Sequence, residues 1–451
     1  MTIGARAESR GLVGARALAS QIASVKPKLG LPPAVANAVH LENGGDRAEL
    51  SFDLSRPVDT NAFVLAAPDR VVIDLPEVDF HIAPQAGGTT SLPHQGRSFR
   101  GRLRKAAFSG LVASFRFGLF AAGRSRIVIN LAAPAKIQRV GAQLTADGKS
   151  AILVIELAKT GRAAFQASAR MALLAAATEA AKPNPAPASA PADAAGALPV
   201  VVVDPGHGGV DSGAMVNGLV EKNLVLAFAK ELAEKLTATG RYKVVMTRDS
   251  DVFIPLGGRV RIARDVHASL FVSVHADTIA DAASVSGATV YTMSDRASDA
   301  EAARTAEKEN QSDATAGLDG KPEPSGVSDI LFDLTKRETR AYSHVFARTL
   351  VNYWKVAGRL NKNPERAAGF IVLTAPDVPS VLLELGYLSN VKDARSLVSP
   401  EWCDETTGKV VAAINAFFKA RGGSSTAAAP LEVTGTATAV DTAAAPIGGD
   451  K

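Results

Sequence analysis

The chain has a single cysteine, Cys403, in 451 residues. It therefore makes no intrachain disulfide, and a cysteine-built structural metal site is excluded. It also lacks any apolar run near the ~18 residues that a membrane span requires. An excess of charge of one sign is nearly absent: 50 Lys and Arg against 45 Asp and Glu leave a net +5. That slight basic bias suits an anionic polymer but falls well short of a nucleic-acid signature. Residues 1–34 carry Arg6, Arg10, Arg16, Lys26 and Lys28 with Glu8 as the one acid among the first 28. The charge is that of an export signal, but Arg16 interrupts any apolar segment of the usual length, so either the signal is degenerate or the true start lies elsewhere.

The length allows two or three domains, and composition divides the chain. Residues 35–160 alternate with period two: Ala48, Leu50, Phe52 and Leu54; Val71, Ile73 and Leu75; Ile127, Ile129 and Leu131. Turn signals at Asn43-Gly44-Gly45, Ala67-Pro68-Asp69 and Asp147-Gly148 separate these runs, which predicts an all-β sandwich. Asp69–Leu75 is echoed by Ser125–Leu131, which suggests two similar sheet halves. Arg97, Arg100, Arg102, Arg104 and Lys105 form a cationic patch, either a solvated edge or a surface for an anionic glycan. Residues 161–197 are rich in Ala and Pro and read as a linker between independent cores. In residues 198–421, apolar strands alternate with helical patterns, which predicts an α/β domain with a mostly parallel sheet flanked by helices. Residues 422–451 have the composition of a disordered tail.

Four stretches of this second domain carry chemistry. Val200–Val203 is a β-branched run that stops at Asp204-Pro205-Gly206, with His207 at its mouth. Side chains just beyond strand carboxyl ends are where open α/β sheets bind ligands. Leu270–Val274 repeats the arrangement and ends in His275, while Glu221 opens a helix. Each has an ordinary alternative: a loop histidine, or a carboxylate that complements the helix dipole. Together they offer three N/O ligands, the set a catalytic zinc takes when its fourth position is left for water. Glu384 lies inside the apolar run Val381–Leu385. A carboxylate there is costly unless paired, protonated or metal-bound, and it suits a base beside a metal-activated water. A phosphate-cradling loop at Asp204–Gly209 is excluded, because neither the P-loop Lys-Ser/Thr pair nor a G-x-G-x-x-G spacing follows.

Asp204-Pro205-Gly206-His207-Gly208-Gly209, Glu221-Lys222, Ser273-Val274-His275-Ala276-Asp277 and Glu384-Leu385-Gly386-Tyr387-Leu388-Ser389-Asn390 occur in this order. In that order and setting the domain resembles the zinc-dependent N-acetylmuramoyl-L-alanine amidases of the amidase-3 family, in particular their AmiC-like group. The resemblance implies Zn²⁺ as cofactor, His207, Glu221 and His275 as its ligands, and Glu384 as the catalytic carboxylate. It also implies peptidoglycan as substrate, a periplasmic location and a role in cell division. Tyr387 stands where the family more often has phenylalanine. The β module resembles an AMIN domain, which implies targeting to peptidoglycan. A non-enzymatic wall adaptor is the competing reading, and the presence of every ligand position argues against it.

Residues 295–327 form an insertion after a strand. Ser298 and Glu301 read as a capping box, and the helix that follows has only a weak stripe of Ala302, Ala303 and Ala306. Such a helix is expected to be held loosely. Glu309 shares the alanine face, where it would meet the fourth position of the zinc. The resemblance implies an autoinhibitory helix that an activator protein displaces. Glu309 is then the candidate plug, Glu307 the alternative, and Ile330, Leu331 and Leu334 the candidate docking surface.

Overall fold

The computed structural model describes residues 32–88, 108–180, 198–279, 284–318 and 330–424, with backbone only at 176–180, 330–334 and 422–424. The N-terminal segment, the Arg97–Lys105 patch and the tail beyond 424 lie outside these residues, as do the side chains of Ile330, Leu331 and Leu334.

The N-terminal domain is a sandwich of two sheets. The first, in spatial order β5-β1-β2-β9-β8, joins Val78–Phe80, Ala34–Asn43, Arg47–Leu54, Ala151–Lys159 and Ala135–Leu144. The second, in order β3-β4-β7-β6, joins Asn61–Leu65, Arg70–Pro76, Arg124–Leu131 and Val112–Ala121. Alternation becomes burial, as expected of a sheet covered on one face. Ala48, Leu50, Phe52 and Leu54 of β2 face inward and pack with Val71, Ile73 and Leu75 of β4. The echoed segments are not two halves of the domain. They are β4 and β7, antiparallel neighbours in one sheet, with Val71 opposite Ile129 and Ile73 opposite Ile127. Two adjacent central strands face the same core and so take the same pattern.

The linker expected at 161–197 begins as a helix, α1 (Arg162–Ala180), whose Phe165 and Ala169 are buried in the β core. Alanine favours helix, and the prolines that would stop one begin only at Pro183.

The second domain is built on a six-stranded sheet in the order β13-β10-β14-β17-β15-β16. These strands are Lys243–Met246, Val200–Pro205, Leu270–His275, Ser380–Glu384, Ala288–Met293 and Leu360–Ala368. All pairs are parallel except β15 with β17. The edge strand β16, LNKNPERAA, is too polar to read as a strand, and its Pro364 suits an edge. A small hairpin, β11 (Met215–Val216) and β12 (Leu219–Val220), leads into α2 (Glu221–Ala238). On one face of the sheet, Val201, Val203, Val272 and Leu383 pack against α2, α6 (Ile330–Trp354) and α7 (Pro400–Ser424) through Phe228, Leu232, Phe346 and Phe417. On the other face, Val202, Phe271, Tyr291 and Leu382 pack with α3 (Leu256–Asp265), Phe370 and α4 (Ala300–Glu309). Each large aliphatic side chain buried this way stabilises by about 1.5–3 kcal/mol. The helix of the C-terminus runs to Ser424, three residues past the boundary expected at 421.

The two domains have separate cores, yet they also share one. Val128 and Phe120 of the sandwich cluster with Val210, Phe253, Ala316 and Leu318 of the α/β domain. Independent cores joined only by a linker do not describe this chain.

Candidate metal centre

Three neighbouring strands deliver the site. β10, β14 and β17 lie side by side, with Pro205 opposite Val274 and His275 opposite Glu384. His275 and Glu384 are the last residues of their strands, and His207 follows two residues after β10. Glu221 opens α2, where a carboxylate is favoured by the helix dipole. All four are buried.

The loop carrying His207 turns its carbonyls inward onto two arginines. Arg248 donates to the carbonyls of Pro205 (3.0 Å) and Gly206 (2.7 Å). Arg259 donates to those of Pro205 (2.7 Å) and His207 (2.6 Å) and to Asp204 Oδ1 (2.8 Å). His207 itself adopts φ +57°, the left-handed region that this turn requires. Gly206 is needed because the His275 ring lies against it: a Cβ there would sit 2.5 Å from His275 Nε2. Burial alone would raise the Asp204 carboxyl, but Arg259 and the hydroxyls of Ser273 and Thr247 hold it below its ordinary value.

The donor atoms meet at one point. Glu221 Oε1 lies 3.1 Å from His207 Nε2 and 3.3 Å from His275 Nδ1. Glu309 Oε2, from the end of α4, lies 3.4 Å and 3.1 Å from the same two nitrogens. A tetrahedral zinc with bonds of about 2.0 Å has donor–donor edges of about 3.3 Å. His207 Nε2 and His275 Nδ1 are buried without a hydrogen-bond partner among the described residues, as ligand atoms awaiting a cation would be. Burial works against charge on the imidazoles, but the surrounding carboxylates outweigh it. Glu221, Asp211 and Glu309 hold His207 well above its ordinary value, while Glu309 and Glu221 lift His275 to about 10. The residues fit a zinc ion in donor type, spacing and charge.

Glu384 stands beside this cluster. Its Oε2 accepts the backbone N–H of Asp277 (3.1 Å), and its Oε1 has no hydrogen-bond partner among the described residues. Burial, opposed by His275 and reinforced by Glu221 and Glu309, pushes its carboxyl up to about 8. That value suits a group that takes and returns a proton near neutral pH.

Of the two insertion glutamates, Glu309 is buried in the cluster and Glu307 is exposed on the outer side of α4. The helix is capped by Asp299, whose carboxylate accepts from Ala302 N (2.8 Å), and not by Ser298, whose hydroxyl receives Ala367 N (3.2 Å). Nor is α4 loosely held. Lys308 pairs with Asp277, Asn310 brackets Gly369 and Ile371, Ser312 donates to Asp211, and Asp313 accepts from Leu256 N. With α4 in place, the cavity lined by His207, His275, Glu309 and Ser312 amounts to about 10 Å³. That is at most the room of one water.

Sequence reasoning missed Asp211. Its Oδ2 lies 2.9 Å from His207 Nδ1, which leaves Nε2 to face the centre, and it also accepts from Ser312 Oγ (2.6 Å). Metal-ligating histidines usually carry such a carboxylate partner. Its position four residues after His207 was the available signal. Arg248 and Arg259 gave none, because nothing in their local pattern distinguishes them from surface cations.

The profile of the family described as N-acetylmuramoyl-L-alanine amidase matches residues 201–416. The chain is 36% identical over 221 residues to the amidase AmiA of Escherichia coli, a span covering 49% of this chain and 76% of that protein. This chain belongs to the N-acetylmuramoyl-L-alanine amidase family. An AMIN domain profile matches residues 38–156. The amidase AmiC of Escherichia coli O6:H1 is 38% identical over 221 residues, covering 49% of this chain and 52% of that protein. The aligned stretch thus spans about half the length of that relative. Among solved structures, the catalytic domain of CwlV, an N-acetylmuramoyl-L-alanine amidase from Paenibacillus polymyxa, covers 49% of this chain and 99% of its own, with 25% identity and a TM-score of 0.37.

Proposed function

We propose that this chain is a zinc-dependent amidase that cleaves the bond between the lactyl group of N-acetylmuramic acid and the L-alanine of the stem peptide in peptidoglycan. We place it in the periplasm, where it serves cell separation and wall remodelling. The convergence of His207 Nε2, His275 Nδ1 and Glu221 Oε1 beside the buried carboxyl of Glu384 carries this reading. Zinc held by these three would polarise the scissile carbonyl and lower the pKa of its water towards about 7. Glu384 accepts the proton of the attacking water and returns it to the leaving nitrogen, held in place by the Asp277 N–H. Asp211 keeps the His207 ring in the tautomer that presents Nε2.

In the same reading α4 is an autoinhibitory cover. Glu309 would be a further donor to the ion in place of water, and Glu307, exposed on the far side of the helix, takes no part. An activator protein docks near Ile330, Leu331 and Leu334 and displaces the cover, while the AMIN domain holds the enzyme on peptidoglycan.

The test is metal content alongside muropeptide release, before and after chelation. Chelation should abolish release and zinc should restore it; full-rate release by metal-free protein would overturn the reading. His207→Ala or His275→Ala should lose zinc and turnover together. Glu309→Ala should raise release without activator, whereas Glu307→Ala should leave it at the wild-type rate.

A further inference from the structure

The cover is anchored on both domains. The short helix α5 (Ser312–Thr315) follows α4, and its turn is closed by the N–H groups of Ala316, Gly317 and Leu318, which donate to the carbonyls of Ser312, Ala314 and Asp313. Buried arginines of the β domain add further donors to the carbonyls at this end. Arg70 Nη1 donates to the carbonyl of Ala314. Arg126 Nη1 donates to those of Ala316 (3.0 Å) and Gly317 (3.2 Å), while its Nε and Nη2 grip Asp74 at 2.6 and 2.9 Å. The Arg126 guanidinium lies 3.6 Å over the Phe120 ring, and Phe120 stacks on Phe253 with centroids 6.0 Å apart. Val210, three residues after His207, donates its N–H to the carbonyl of Leu119 (3.3 Å). Gly317 has φ +71°, and a Cβ there would lie 2.9 Å from Val72 Cγ2 and 3.2 Å from Val128 Cγ2.

Arg126 is braced within the sandwich by Asp74 and Phe120, and the other contacts join the sandwich to the cover, to the loop beside the metal centre or, at Phe253, to the segment before α3. Arg70 and Arg126 are almost wholly buried, so withdrawing residues 314–318 would strip acceptors from two desolvated cations.

We infer that the face of β4, β6 and β7 carrying Arg70, Val72, Phe120, Arg126 and Val128 is an interaction surface whose occupant is residues 314–318 of the same chain. Through it the β domain locks the cover over the site. The inference rests on the reading of α4 as a cover. It means that uncovering the metal centre and loosening the β domain are coupled events. Anything that pulls this domain away, including a hold on peptidoglycan, lowers the cost of uncovering.

The experiment uses the full zinc-loaded chain and release of label from sacculi without activator. Phe120→Ala attacks the surface from the β domain. Gly317→Val attacks it from the cover and leaves the sandwich's own core untouched. Both should raise basal release about 5-fold or more, with wild-type zinc content. A specific protease site placed within 185–195 adds a second readout. After cutting, the wild-type halves should co-elute on gel filtration, and those of Gly317→Val should separate. If Glu309→Ala raises basal release while both interface variants stay at the wild-type rate, the lock is wrong and the cover stands. If Glu309→Ala is also flat, the cover reading fails and takes the lock with it. Cut wild-type halves that separate at once would overturn the lock whatever the rates.

Discussion

His207 and Glu309 reach the same point in space, but the molecule holds them by opposite means. His207, His275 and Glu384 stand at the ends of strands whose own residues, such as Val202, Val272 and Leu382, are wholly buried. Backbone N–H groups and buried arginines then fix the donors: Ala214 N and Ala276 N clamp Glu221 at 2.7 and 2.9 Å. Glu309 arrives on a ten-residue helix whose other buried side chains are only Ala302, Thr305 and Ala306. Polar tethers hold that helix, each worth about 0.5–1.5 kcal/mol net and each replaceable by water. Apolar burial makes a permanent part; polar contact makes a part that can leave and return.

Removing a strand-end group should have the largest effect. Glu384→Gln should keep zinc and fold while turnover falls about 10²–10⁴-fold, measured as muropeptide release at saturating zinc. A variant that lost its metal would show instead that Glu384 is a ligand. Asp204→Asn tests the framework, since it leaves Arg259 buried without its carboxylate. About 3–5 kcal/mol of stability should go, read by denaturant unfolding. Because the folded Asp204 is depressed below its ordinary value, its contribution is complete above the ordinary carboxylate range. It is lost as pH falls through the folded value, so wild type and Asp204→Asn should converge in acid.

Asp211→Asn should weaken zinc binding by about 10–100-fold in competition with a chelator. The smallest effect should come from the cover. Lys308→Ala removes one tether, to the buried Asp277, and should raise basal release only a few-fold, about 1 kcal/mol. A larger rise than that of Glu309→Ala would invert the contrast between the two modes of attachment.

The permanent part was the legible part. Runs such as Val200–Val203 and Leu270–Val274 announce buried strands, and a histidine or glutamate at their ends is conspicuous. The zinc reading needed only residue types and the rule that strand ends bind ligands. The polar scaffold was hidden. Arg248, Arg259 and Arg126 act through guanidinium geometry that depends on long-range packing, and no periodicity encodes it. The cover was half legible: Glu309 follows from helical spacing, but its tethers join residues far apart in the chain, as Ser312 with Asp211 and Ala314 with Arg70 show. The seam between domains left no mark at all. The alternation of β6 and β7 predicts a core on one face and says nothing of what the other face meets.

One consequence concerns β6, the edge of its sheet. Sheet edges invite pairing with other chains, and proteins blunt them with charge, bulges or a covering segment. Here the Leu119 carbonyl of that edge is taken by Val210, a residue of the other domain. Expressed alone, the β domain would expose this carbonyl together with the Phe120 ring, so the seam is also a guard against self-association. A preparation of residues 32–180 should therefore grow in apparent size with concentration, and placing a lysine at Leu119 should keep it monomeric.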